Sequence, residues 1–251
     1  MPQKQLSRKE SFVKKEYEGN YARETNNDFM FKTQHAFLNG ALCLYPVIEH
    51  KKAYMRMFAD KFISHGITSL LELGSGRGFN ILSIAVLCPE IKKLRGVELT
   101  AGGVATAKAN FRNPPVEILR YITGLDEKTI RERLLGRDID FVEGSITDIP
   151  FRDGEFDAVF SNSVIEQIPR DYDVVFREAY RVATKAGFFS EPFHEAQRKN
   201  IFKLLHLRNI DYFRAPYEDV KRAGWKVFQF EIPPLQKFVF NTGLLSCVKK
   251  D

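Results

Sequence analysis

Residues 70–80 read LLELGSGRGFN, an apolar run holding one acid and then glycine at 74, 76 and 78. Three glycines in five positions mark a turn that other residues resist, because glycine alone takes positive φ at no steric cost. TSLLEL precedes the turn and the apolar run ILSIAVL follows it, so it reads as a strand-to-helix junction. A junction of this kind turns bare backbone and helix N-terminal N–H groups toward a ligand. It commits the surrounding chain to a parallel sheet covered by helices.

The rest of the chain follows that commitment. From residue 68, short β-branched or apolar runs alternate with helical stretches. Strands are predicted at 68–73, 94–98, 139–143, 155–161, 186–190, 225–231 and 237–248, and helices at 79–88, 100–112, 171–184, 194–208 and 217–223. Thr100 is placed to cap the second of these helices. Before residue 66, HAFLNGALCLYPVIEH and KKAYMRMFADKFISHG carry apolar faces at helical spacing. That segment is expected to pack on the α/β core as an N-terminal cap spanning 1–65, with 66–251 as the α/β domain. The stretch 113–138 reads as an insertion that adds a helix. It lies between a helix and a strand, at the N-terminal edge of the strands, and suits packing or self-association better than chemistry.

Composition narrows the class. Of 251 residues, 38 are Lys or Arg and 32 Asp or Glu, a net charge of +6. A basic balance raises the possibility of a nucleic-acid partner. Most of the positive charge is interleaved with acids, however, as in EKTIRERLLGRDID. Only Lys4, Arg8, Lys9, Lys14 and Lys15 form a basic cluster, which reads as a solvated tail or a steering patch rather than an RNA-binding surface. No apolar run is long enough to span a membrane, and the N-terminus has no apolar leader core. Cys43, Cys88 and Cys247 are dispersed and not in a metal-ligand spacing, so no metal is expected and a reduced, cytoplasmic setting is.

The glycine turn has several chemical readings. A phosphate loop is excluded, because no GK[ST] follows. The dinucleotide pattern G-x-G-x-x-G fails at its last position, where Phe79 stands and the third glycine comes one residue early. Glu98, 20 residues beyond Gly78, ends the second strand, where a carboxylate can accept both hydroxyls of a ribose. Glu72 lies within the first strand, and a buried acid there needs donors.

Taken together, LLELGSGRGFN, GVELT, FVEGSITDIPF, FDAVFSNSVIEQIP and REAYRVATKAGFF resemble the successive motifs of the class I S-adenosylmethionine-dependent methyltransferases, of the small-molecule, methyltransferase-11-like type. The resemblance covers roughly residues 66–192. It implies a Rossmann-like α/β fold with a seven-stranded, mostly parallel sheet, its last strand antiparallel, and helices on both faces. It implies S-adenosyl-L-methionine as cofactor and S-adenosyl-L-homocysteine as product. Glu72 and the backbone at Gly74, Gly76 and Gly78 then hold the cofactor's amino acid part. Glu98 takes the ribose and Leu99 packs on the adenine. Ser145 and Ile146 fall at the adenine-recognition position, where the family usually has an acid at the first; Asp148 is a substitute for it. Ser161, Asn162 and Ser163 fall beside the methionine and methyl group. Tyr17 and Tyr21 are candidates to reach the cofactor from the cap.

Methyl transfer from a sulfonium is an in-line displacement, so positioning is the main catalytic task. A base is needed only if the nucleophile must lose a proton. His194 and Glu191, in FFSEPFHEAQ, are the candidates for catalysis. His35 is weaker, and His50, His65 and His206 read as packing or surface residues. The expected function is methylation of a small-molecule acceptor, at O or N before C. Its rivals are an RNA or protein methyltransferase, suggested by a pI near 9.1, a non-catalytic cofactor-binding scaffold, and an NAD-dependent oxidoreductase. A homodimer is compatible with the sequence.

Overall fold

The computed structural model describes residues 10–23, 25–197 and 201–249, and side chains within 11–20, 25–197 and 201–249. Ahead of the main sheet come α1 (Glu10–Arg23), α2 (Asn26–Phe31), β1 (Thr33–Leu38), β2 (Ala41–Pro46) and α3 (Val47–Ser64). The alternating core follows: β3 (Ser69–Leu73), α4 (Phe79–Leu87), β4 (Lys93–Glu98), α5 (Ala101–Arg112), α6 (Val116–Thr123), α7 (Glu127–Leu134), β5 (Asp138–Glu143), β6 (Phe156–Asn162), α8 (Tyr172–Val182) and β7 (Ala183–Glu191). The chain finishes with α9 (His194–Gln197), α10 (Ile201–Asn209), β8 (Lys226–Glu231), β9 (Leu235–Lys237) and β10 (Gly243–Val248).

Seven strands form the main sheet in the order β5-β4-β3-β6-β7-β10-β8. Neighbours from β5 to β7 run parallel, whereas β10 is antiparallel to both β7 and β8. Both faces are covered, so the central strands read as continuous apolar runs rather than as alternating ones. Leu70 of β3 enters a core shared with α3 and α4, while Leu71 enters the core on the opposite face with Val175 and Phe176 of α8. The sheet and the helices on both faces therefore match the expectation.

Five local expectations are corrected. Residues 35–50 are not one helix: β1 and β2 form a hairpin, and only from Val47 does α3 begin. The sequence is dense enough in apolar residues to satisfy either period. The deciding signal is Asn39-Gly40, whose φ values of 52° and 85° are those of a two-residue turn between antiparallel strands. The hairpin also pairs with β9, giving a second, three-stranded sheet, so the cap is tied to the C-terminal part of the chain. The continuous strand expected at 237–248 is accordingly split between β9 and β10. The insertion holds two helices, α6 and α7, packed on α3 and α4 through Ile118, Leu119, Ile122 and Ile130. Of the remaining helices, 194–208 holds α9 and α10, and 217–223 is a 3-10 turn, Tyr217–Ala223.

Candidate functional site

The C-terminal ends of β3, β4 and β6 open into one cavity of about 400 Å³, roofed by α1, the hairpin and the start of α3. This edge of a parallel sheet is where ligands bind in open α/β folds. The glycine turn forms its floor. Gly74, Gly76 and Gly78 have φ of 68°, 53° and 79°, and Gly78 caps α4. The close approach at Gly74 comes from the protein itself: a Cβ built there would stand 2.1 Å from Val164 Cγ2.

On one side of the turn, Glu98 is buried and its two oxygens are both engaged. Gly76 N–H donates to Oε2 at 3.0 Å, and Thr100 donates to Oε1 through its N–H at 3.1 Å and its hydroxyl at 2.6 Å. Burial raises the carboxyl's pKa, and these donors pull it back. A carboxylate has about four lone-pair sites, so it keeps capacity for a further donor from the cavity that it lines. Thr100 also caps α5, as expected, through Gly103 N–H. Leu99 and Ile146 line the same end. Ser145 does not line the cavity; its hydroxyl pairs with Thr147 Oγ1 at 2.7 Å. Asp148 is exposed and also outside the lining, so it does not replace the missing acid.

Beneath the turn, Glu72 is fully buried behind the cavity wall rather than at its surface. Asn80 Nδ2 donates to its Oε1 at 2.5 Å, and Lys51 Nζ donates to Asn80 Oδ1 at 2.8 Å. Asn80 and Lys51 line the cavity, and Glu72 Oε2 has no partner. Burial raises the Glu72 pKa and lowers that of Lys51, while each charge favours the other's ionised form. An orphaned buried oxygen beside a glycine cradle fits a cofactor bearing an ammonium and a carboxylate. Asn80 and Lys51 were not singled out in the sequence, because Lys51 comes from α3, distant in the chain.

The loop after β6 forms the facing wall. Ser163 takes φ of 59°, unusual for a side chain with a Cβ. Glu191 holds this loop from behind: its carboxylate accepts Ser161 Oγ at 2.7 Å and the N–H groups of Val164 and Glu166 at 3.2 Å each. Neither Glu191 nor Ser161 lines the cavity; Asn162, Ser163, Val164, Glu166 and Gln167 do. Glu191 is therefore a positioning residue in this fold, not a group at the reacting atoms. Burial and the adjacent Glu166 carboxylate push its pKa up from 4.5 to about 8. An acid whose folded pKa is raised binds more protons folded than unfolded between those values, so stability falls as pH rises through the window. Glu191→Gln is expected to flatten the fall in Tm between about pH 4.5 and 8, read by thermal melts across pH. A wild-type profile matching the variant's would remove this role.

The cap supplies Val13, Tyr17, Asn20, Gln34, His50 and Lys51 to the cavity, with Lys237 arriving on β9. Tyr21 lies in α1, but its side chain is outside the described residues. His194 is not in the lining; its N–H donates to Ala215 O at 3.0 Å, at the start of α9. The histidine that the fold brings to the cavity is His50, read from sequence as a packing residue. It is both: the ring stacks on Tyr54 at 4.2 Å, and Nε2 is buried without a partner. The i, i+4 spacing to Tyr54 was visible in the sequence; the cavity was not.

Residues 71–190 match the model of a methyltransferase domain family. An arsenite methyltransferase from Aquipseudomonas alcaligenes is 34% identical over 127 residues, which is 49% of this chain and 32% of that protein. The chain thus spans about a third of the length of that curated relative. Among solved structures, the [4+2]-cyclase SpnF superposes with a TM-score of 0.68 at 14% identity, covering 97% of each chain. A geranyl diphosphate C-methyltransferase from Streptomyces coelicolor A3(2) gives 0.58 at 11% identity, covering 94% of this chain and 97% of the other. These likenesses are of fold. With the five ordered motifs and the cradle, the domain match identifies residues 71–190 as a methyltransferase domain, in keeping with the resemblance to the class I S-adenosylmethionine-dependent methyltransferases. S-adenosylmethionine is the cofactor of that class, and the residues present fit it.

Proposed function

We propose that this protein transfers the methyl group of S-adenosylmethionine to a small organic acceptor, at oxygen or nitrogen before carbon. One observation carries the reading: the cofactor cradle and a wall of acceptor-side groups line a single roofed cavity of about 400 Å³. That is the scale of small-molecule sites, a few hundred Å³ with a few polar groups among apolar ones.

The bound cofactor supplies an electrophilic methyl group on a sulfonium. The chain's own work is to hold and orient. Gly74, Gly76, Asn80 and Lys51, which line the cavity, would hold the amino acid end, Glu98 the ribose, and Leu99 with Ile146 the adenine. Tyr17, Val13 and Asn20 of α1 roof the cleft, and Glu18 binds the α5 backbone at Gly102 N–H, 3.2 Å away. Exclusion of water by this roof favours alignment of acceptor and methyl carbon.

Purified protein incubated with methyl-labelled S-adenosylmethionine and a panel of phenols, amines and carboxylic acids is expected to label at least one small acceptor. Label entering only RNA or protein, with binding that weakens steeply in salt, would replace this reading by the macromolecular one. Cofactor binding without turnover of any acceptor would leave a scaffold.

A further inference from the structure

The acceptor side of the cavity contains one ionisable ring with nothing to bind. His50 is 6% exposed, lines the cavity, and has a buried Nε2 without a partner. A buried nitrogen in that state marks a place where a ligand group belongs. Its ring cannot turn away, because Tyr54 is stacked on it at 4.2 Å and 27°, and Tyr54 is itself anchored through its hydroxyl to Thr242. Tyr45 of β2 is a second ring neighbour, its centroid 6.5 Å away.

The charges around His50 come from each element packed on it. Lys51 follows it on α3, and Lys237 faces it from β9; both ammonium groups act on the ring. Lys237 is held at the cavity wall by Ser163 Oγ at 3.1 Å and by Glu166 at 3.7 Å. Tyr45 and Tyr54 are the remaining titratable neighbours, and burial keeps both phenols neutral.

We propose that His50 is the proton acceptor of the transfer step and that the acceptor is a phenol- or enol-type hydroxyl compound, its oxygen bound by His50 Nε2 and the Lys237 ammonium. The inference rests on the methyl-transfer reading above and adds the substrate class. In the step, the hydroxyl proton moves to Nε2, an oxygen lone pair forms the new O–C bond, and the C–S bonding pair stays with the sulfur, leaving a neutral thioether. The imidazolium later releases its proton to solvent.

The same surroundings select the class of acceptor. Burial, Lys237 and Lys51 hold the His50 pKa well below 6.5, so the ring is neutral with a free lone pair. A weak base of this kind needs an acidic partner. A phenol, at a pKa of about 10, is brought further down by the two neighbouring ammonium groups, which also steady its oxyanion. An aliphatic alcohol is far less acidic. A protonated amine is repelled by the same lysines.

The test uses the whole chain and a chromophore. Para-nitrophenol is titrated into the protein with S-adenosylhomocysteine bound, at a pH below the free phenol's pKa, and the phenolate absorbance is followed. Binding of S-adenosylhomocysteine is measured first by calorimetry. The expected result is ionisation of bound nitrophenol in wild type, its loss in His50→Gln with S-adenosylhomocysteine affinity unchanged, and a fall in methyl-transfer turnover to phenolic acceptors of about 10²-fold or more. His50→Ala serves as the second variant, and thermal melts exclude unfolding in each. Intact S-adenosylhomocysteine binding with the same nitrophenol ionisation in His50→Gln as in wild type would overturn the role of His50 alone. Absence of S-adenosylhomocysteine binding to wild type would overturn the cofactor reading beneath it.

Discussion

Glu98→Gln is expected to lower affinity for S-adenosylmethionine by about 10²-fold while the protein stays folded. The carboxylate is met by N–H donors on both oxygens, Gly76 on one and Thr100 on the other. An amide cannot present an acceptor to both sides, so its NH₂ must face an N–H group. Hydrogen bonds to a charged group contribute about 1.5–3 kcal/mol each, and about 1.4 kcal/mol is a tenfold change in affinity. Losing the bond proposed between this carboxylate and the ribose gives the stated loss. Gly103 belongs to the same device: a Cβ there would stand 2.7 Å from Glu98 Cγ, so only glycine lets α5 start against this side chain. Calorimetry of the variant checks the expectation. An affinity within a factor of about two of wild type would take Glu98 out of the site.

Gly74→Ala has the largest expected effect on the fold itself. Its φ of 68° costs an L-residue about 1–2 kcal/mol, and its new Cβ would lie 2.1 Å from Val164 Cγ2. Overpacking of this kind costs about 1–3 kcal/mol. Together these come to about 3 kcal/mol, or a fall in Tm of roughly 6–12 °C for a chain of this size. Relief of the clash pushes Val164 and its loop into the cavity, so cofactor binding falls as well. A second substitution separates the two causes. Val164→Ala in the Gly74→Ala background recovers part of the packing loss and none of the backbone cost. A Gly74→Ala variant that melts with wild type and binds the cofactor normally would show that neither constraint operates.

How much of this was legible in the sequence depends on how far apart the cooperating residues lie. The β3–α4 turn, Glu98 at the end of β4 and the Thr100 cap are each written within a few residues, and periodicity and glycine placement locate them. The hairpin is equally local, but its apolar residues satisfy the helical period too, and the Asn39-Gly40 pair is what distinguishes the two. Glu191 illustrates a different limit. Its type and position suggested chemistry, yet its partners, Ser161, Val164 and Glu166, lie 25–30 residues away and turn it into a support for the loop. His194 and His50 exchanged places for the same reason, since which histidine reaches the cavity depends on how the cap docks.

The sequence by itself determined the parallel sheet, the strand-to-helix cradle and the carboxylate at the end of β4. These follow from φ, hydrophobic period and short-range hydrogen bonds, which a chain carries locally. Only the tertiary structure decided what faces the cofactor. That wall is assembled from α1, the hairpin, α3, the loop after β6 and β9, and its pivotal pairing, Ala36 with Lys237, joins strands 201 residues apart. A pairing at that separation is fixed by the packing of the whole molecule, and no local pattern records it.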